Sequence, residues 1–162
     1  MDYYHDIPGY PDHVSGTAVI VRILDGLGFR FYWATDGLRP EDYSFRPAPD
    51  VMSIGELTMH VWDLGAWISA QCFGKAYEKP GEGEAARDEA LKVIRDLRET
   101  FAKMGDGDLA KLKIRGMPFW NVLNGPLSDA LTHTGQINSF RRINGNPCAG
   151  ANVFSGTPPK KK

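Results

Sequence analysis

The sequence predicts an all-α protein built as a single four-helix bundle. Four stretches place apolar residues three and four positions apart, the spacing that lines one face of a helix. Breaks rich in Gly and Pro separate these stretches, and no segment has a convincing sheet pattern. A chain of 162 residues fits one domain, 1–162, and we expect its core at about residues 14–147 and a flexible tail at about 155–162.

The first helix is predicted at about residues 14–36, where one apolar stripe runs along the pattern. Three prolines in the next segment, residues 37–50, predict an irregular loop. The second helix is expected to begin after Ser53. Ser53 and Glu56 form a capping-box pattern, in which each side chain accepts a hydrogen bond from the other residue's backbone N–H. Gly74 is the expected end of this helix.

The third helix is predicted at about residues 84–104, with apolar residues on one side and charges on the other. Residues 105–118 are compatible with a short strand or with a helical turn. The fourth helix is predicted at about residues 119–143, with Gly145 as its C-terminal cap. Pro126 lies inside this pattern, so it must either kink the helix or open a new first turn.

The charge of the chain argues against two classes of partner. A formal net charge of −1 and the lack of a basic stripe predict binding neither to nucleic acid nor to an anionic membrane. No apolar run approaches the roughly 20 residues of a membrane span, and the N-terminus lacks the apolar segment of a secretory signal. We therefore expect a cytoplasmic protein with reduced thiols, although the sequence also allows one disulfide between Cys72 and Cys148.

Two of the four histidines fall inside predicted helices. His60 follows Leu57 by three residues and precedes Leu64 by four, so it points toward the buried stripe. Asp129 precedes His133 by one turn, so their side chains can converge on one ion. Two imidazoles and one carboxylate leave positions open for water or substrate, and they suit Zn, Ni, Fe(II) or Mn. The spacing alone equally allows a hydrogen-bonded core histidine and a solvent-facing Asp–His pair.

Two segments resemble the DinB/YfiT-like superfamily of small helical-bundle metalloenzymes. MSIGELTMHV, residues 52–61, resembles the family's second helix, which has a capped start and presents a metal-binding His. DALTHTGQINSFRRINGNP, residues 129–147, resembles the last-helix motif, in which a His, three further residues and then His-Arg-Gly-Gln supply two more ligands. With the connecting SFRPAPDVMSIGEL, the resemblance covers about residues 14–147.

The resemblance implies that His60 and His133 are metal ligands, with two departures from the family pattern. Asp129 stands where the family has the first His of the last helix, and Thr134 replaces the Arg before Gly. A carboxylate ligand makes the site harder and more anionic, which favours Fe, Mn or Ni over a thiolate-activating Zn. The alternative is a degraded site that holds no metal.

Three further residues of the last helix are candidates for supporting roles. Gly135 and Gln136 match the family's Gly-Gln, and Gln136 is a candidate to orient His133 from behind, or to pair with the backbone. Gly135 either allows close helix approach or is merely tolerated there. Arg141 is a candidate for binding an anionic substrate, although an arginine near a helix C-terminus is also favoured by the helix dipole.

The resemblance implies a metal-dependent enzyme with a small-molecule substrate. Characterised relatives include thiol-dependent transferases and isomerases, in which a divalent metal activates a low-molecular-weight thiol; homodimers are common among them. Two other functions remain open from the sequence. One is hydrolysis by a metal-activated water, and the other is a non-catalytic bundle that binds a small ligand or a partner and keeps a vestigial metal site.

Overall fold

Helices dominate the fold seen in the computed structural model, which describes residues 3–160. The elements are α1 (Gly16–Thr35), a 3-10 helix (Pro40–Ser44), α2 (Ile54–Phe73), α3 (Glu84–Phe101), α4 (Asp106–Leu109), β1 (Lys113–Ile114), β2 (Met117–Pro118), α5 (Trp120–Val122), a π-helical turn (Leu123–Leu127) and α6 (Ser128–Ile143). The all-α prediction is confirmed, and the first three predicted helices appear at their expected places in the chain.

The four long helices share one core. Helices α1 and α2 each pack against both α3 and α6. Their buried apolar side chains form one cluster, which includes Leu24, Phe31, Leu57, Val61, Ile94, Leu97 and Ile137. Full burial of each such side chain stabilises the fold by roughly 1.5–3 kcal/mol relative to exposure. Packing of α2 against α6 is the contact that positions the site described below.

The N-terminus of α2 is fixed by the predicted capping box. Ser53 N–H donates to Glu56 Oε2 over 2.6 Å, and Glu56 N–H donates to Ser53 Oγ over 3.2 Å. At the other end, Gly74 adopts the left-handed conformation with φ 65°, which a glycine reaches without strain. Both ends of α2 therefore lie where the sequence predicts them.

The last predicted helix is interrupted at Pro126. Pro126 has no N–H to continue the helical ladder, and Gly125 before it leaves the helical region with φ −96° and ψ −108°. Of the two outcomes that the sequence allows, the structure has the new first turn. Helix α6 begins at Ser128, whose hydroxyl donates to Leu123 O across the π-helical turn. The predicted helix over residues 119–143 is therefore divided into the short helix α5, the π-helical turn and α6.

Two connecting segments are more ordered than the sequence suggests. The predicted irregular loop at residues 37–50 contains the 3-10 helix Pro40–Ser44. Residues 105–118 hold both of the alternatives left open, namely the helical turn α4 and the β1–β2 hairpin. Arg115 and Gly116 join the two strands with φ values of 50° and 79°, as the tight turns of two-residue hairpins require.

The two ends of the described chain meet. Ile7 N–H donates to Gly156 O over 2.9 Å, and residues 152–157 form a hydrogen-bonded turn. The predicted tail thus begins inside an ordered turn. Lys161 and Lys162, also assigned to that tail, lie outside the described residues.

Two predictions from the sequence concern membrane-spanning segments and a disulfide. No helix within residues 3–160 is both long enough and apolar enough to cross a membrane. Cys72 and Cys148 are free thiols, so the disulfide that the sequence allows does not form in this structure.

A buried carboxylate ties the 3-10 helix to the end of α6. The Asp42 side chain is 0% exposed and accepts hydrogen bonds at both oxygens. Arg39 donates from Nε and Nη2 at 3.0 and 2.7 Å, and the amides of Asn144 and Asn146 donate at 2.8 and 2.7 Å. The Arg39 guanidinium is the main cause that holds the pKa of Asp42 well below its usual range, against the opposing effect of burial.

The Asp42 network should make stability depend on acidity. Because the pKa of Asp42 is lowered by folding, its contribution is complete above the unfolded value of about 3.9 and is lost as pH falls below it. We expect the free energy of unfolding of Asp42→Asn to be lower at pH 7 and to fall less steeply than that of the native chain from pH 4 downward. Urea unfolding across this range measures both effects, and Asp12→Asn, an exposed carboxylate, is the control. An acid dependence equal to that of the native chain would contradict the role given to Asp42.

A close contact in α1 gives a second stability prediction. A methyl group at Gly28 would lie 2.4 Å from the ring of Tyr4, which is 1% exposed, whereas one at Gly26 would meet nothing within 4 Å. Gly28→Ala should therefore destabilise the protein by about 1–3 kcal/mol, as overpacking does. Gly26→Ala should stabilise it by about 0.5–1 kcal/mol through helix propensity. Equal urea midpoints for the two variants would show that Tyr4 does not pack on Gly28.

Candidate metal centre

The three predicted ligands meet where α2 packs against α6. His60, Asp129 and His133 each offer one ligand atom, and these atoms all lie within 4.8 Å of one another. Asp129 lies between the histidines: its Oδ2 is 3.4 Å from His60 Nε2, and its Oδ1 is 3.2 Å from His133 Nε2. The two imidazole rings meet edge to face, with centroids 4.8 Å apart. The structure thus brings together the residues that the sequence selects.

The local fold explains this convergence. Because α6 begins again after Pro126, Asp129 falls in its first turn, where the helix dipole favours a carboxylate. His133 follows one turn later on the same face. Beside this face, Ala130, Thr134 and Ile137 are buried, which sets the rotation of α6 against α2. Thr134 donates to Ala130 O over 2.7 Å, so the position where the family has Arg belongs to the core here.

The contacts around Asp129 are close enough for the three side chains to hold one cation. Neither Nε2–carboxylate distance, 3.2 or 3.4 Å, falls inside the range of a good N–H···O⁻ bond, about 2.7–2.9 Å. A cation between the three groups would satisfy the two imidazole lone pairs and the carboxylate charge at once. Two His and one Asp are a donor set for Zn, Ni, Fe(II) or Mn, with coordination positions left open.

Exposure shows on which side these open positions lie. The side chain of His133 is 16% exposed, that of His60 34% and that of Asp129 46%. The centre is therefore backed by the helix pair and open toward solvent. A cleft of about 760 Å³ adjoins it, with His60 in the cleft wall.

Gln136, rather than pairing with the backbone, contacts His133. Its Oε1 lies 2.7 Å from His133 Nδ1 and can only accept a hydrogen bond. His133 therefore donates from Nδ1, and its Nε2 lone pair faces Asp129 and His60. Such a contact fixes the orientation of a ligating imidazole. Gly135 plays no part in close packing, since a Cβ there would meet nothing within 4 Å.

The contacts of Arg141 contradict its interpretation as a substrate-binding candidate. It is 2% exposed, and its guanidinium donates to main-chain carbonyls. The acceptors are Asn146 O at 2.9 Å, Ala34 O at 3.1 Å, Asp36 O at 2.7 Å and Gly37 O at 3.4 Å. Arg141 therefore joins the ends of α1 and α6 and offers nothing to a ligand. The sequence does not predict this role, because three of the four acceptors, at Ala34, Asp36 and Gly37, are more than a hundred residues away along the chain.

The wall of this cleft is not predictable from the sequence. The 3-10 helix, the first half of α2 and the loop at residues 79–83 form it. These segments are far apart in sequence, and no motif links them. Asp63, a wall residue, follows His60 by three residues and so lies on the same face of α2.

Comparison of the chain with protein-family models and with curated proteins gave no match. The case for a function therefore rests on the geometry above and on the resemblance of residues 52–61 and 129–147.

The contact between Gln136 and His133 predicts a tautomer. In the metal-free protein, neutral His133 should carry its proton on Nδ1, because Gln136 Oε1 accepts there. Gln136→Leu removes the acceptor and should move the population toward the Nε2–H form, whereas Gln136→Glu keeps an acceptor and should not. Ring ¹⁵N chemical shifts at a pH where the imidazole is neutral report the tautomer. A predominant Nε2–H form in the native chain would contradict the arrangement.

Proposed function

We propose that the protein is a metal-dependent enzyme of the DinB/YfiT-like superfamily, in which the four long helices form the family's bundle. His60, Asp129 and His133 hold one divalent ion, and the reaction is a thiol-dependent transfer or isomerisation on a small molecule. The observation that carries the proposal is the convergence of these three residues from α2 and α6, with ligand atoms within 4.8 Å of one another. These are the two segments in which the family resemblance lies.

Each residue has a defined part in this proposal. His60 and His133 supply neutral nitrogen ligands, and Gln136 keeps the Nε2 lone pair of His133 directed inward. Asp129 supplies the charge that holds a cation. When bound, a divalent ion acts as a Lewis acid and lowers the pKa of a thiol or water that it coordinates. The helix pair behind the site excludes water from one side, since His133 is only 16% exposed.

A hydrolase remains the second candidate, because the same open positions accept water as readily as a thiol. Dependence of metal-supported turnover on an added thiol would distinguish the transferase or isomerase from the hydrolase. A non-catalytic bundle with a vestigial site is the third candidate, and it requires that metal does not bind. The homodimer and the cytoplasmic location inferred from the sequence stay part of the proposal.

Metal content tests the proposal directly. Protein purified without a nickel column should carry close to one equivalent of a divalent metal, or take it up from Zn, Ni, Fe(II) or Mn. His60→Ala, Asp129→Ala and His133→Ala should each lose it, because each removes one of three ligands. His13→Ala, at an exposed histidine outside the site, should retain it. Elemental analysis of all five proteins gives the stoichiometry. A native chain that takes up none of the four metals would overturn the enzyme proposal.

A further inference from the structure

The cleft beside the metal centre has the size of a small-molecule site. Its volume of about 760 Å³ lies within the range of roughly 300–1,000 Å³ that is usual for such pockets. Part of its wall is apolar, formed by Pro40, Tyr43, Met52, Met59 and Pro80. His60 belongs both to this wall and to the metal centre. If a small molecule binds through one of its atoms at the open side of the centre, the rest of that molecule therefore lies beside the cleft.

The charged residues of the wall are mostly acidic. Glu56 is already engaged, since it accepts from Ser53 N–H and forms an ion pair with Arg46 at 3.0 Å. The side-chain carboxylates of Asp63 and Glu82 form no ion pair or hydrogen bond with any residue in the part of the chain that the structure describes. Lys79 is the only lysine or arginine among the described wall residues. The cleft thus keeps free carboxylates that a cationic group can reach.

The metal centre has the opposite polarity. A divalent ion held by one carboxylate and two neutral imidazoles keeps a net positive charge, which favours an anionic donor atom at its open positions. Asp63 lies three residues after His60, so both side chains project from the same face of α2, about one turn apart. The site therefore changes from positive at the centre to negative at Asp63 over a distance that a short molecule can span.

We propose that the site binds a small amphoteric molecule. Its anionic donor atom faces the His60–Asp129–His133 centre, its protonated amine pairs with Asp63, and its apolar part packs on Tyr43 and Met59. Complementary charges at the two ends fix the orientation of such a ligand and disfavour molecules that lack the amine. This inference rests on the proposed metal site and adds the class of ligand and the residue that selects it.

The test compares two thiols that differ only at the end away from sulfur. Cysteamine carries an amine where 2-mercaptoethanol carries a hydroxyl. Both are titrated into Co²⁺-loaded protein, and the charge-transfer absorbance of the thiolate on Co²⁺ gives each Kd. The quantity of interest is the ratio of the Kd of mercaptoethanol to that of cysteamine, measured in the native chain, in Asp63→Asn and in Asp12→Asn. Comparing this ratio between proteins cancels the difference in acidity between the thiols.

We expect the ratio to fall about two- to fivefold in Asp63→Asn, the effect of losing one partly exposed ion pair, and to be unchanged in Asp12→Asn. Cobalt content is measured first in every protein. Failure of the native chain, freed of metal, to take up Co²⁺ as well as Zn, Ni, Fe(II) and Mn would overturn the metal centre and with it the proposed function. Uptake of Co²⁺ with an unchanged ratio in Asp63→Asn, or with neither thiol bound, would overturn the amphoteric ligand and leave the metal centre standing.

Discussion

The position of α6 depends on one constraint, the missing N–H of Pro126. A helix cannot pass through this residue without losing a hydrogen bond and meeting the ring, so the chain turns through a π-helical segment and starts again at Ser128. That restart decides which residues share the first turn, and it puts Asp129 there. Once Ala130, Thr134 and Ile137 are buried against the core, the rotation of the helix is fixed and His133 must face α2. The candidate site is in this sense a consequence of a helix break.

The other end of α6 is held by polar groups that are well satisfied. Arg141 donates to carbonyls at the end of α1, while Asn144 and Asn146 donate to the buried carboxylate of Asp42. Buried polar groups with full sets of partners rigidify a structure, because any one of them left unpaired would be costly. The 3-10 helix that contains Asp42 also contributes to the cleft wall. One network thus sets both the far end of α6 and part of the cleft.

The spacing of residues along the chain was enough to predict the features that depend on neighbouring residues, namely the positions and ends of helices. Hydrophobic spacing gave the long helices, the Ser53–Glu56 pair gave the start of α2, and Gly74 gave its end. The pairing of Asp129 with His133 followed from helix geometry alone, whereas their meeting with His60 needed the family resemblance, since no spacing rule states which helices face one another. The substrate-binding interpretation of Arg141 was wrong because most of its partners are carbonyls at and after the end of α1, which no local pattern predicts. The 3-10 helix was not predicted, because the proline-rich pattern of its segment does not indicate the long-range partners that stabilise Asp42.

The placement of Asp129 in a first helical turn also bears on how fast an ion held at the proposed site would enter and leave. The start of α6 follows a turn with a non-helical glycine, and the Asp129 side chain is the most exposed of the three candidate ligands, at 46%. Helix ends open far more readily than the whole protein unfolds. Fraying of this one turn would release a single ligand while both imidazoles stay in place on the packed helices. Exchange of the ion would then follow local opening, so occupancy in the cell would track metal supply and not the unfolding rate of the domain.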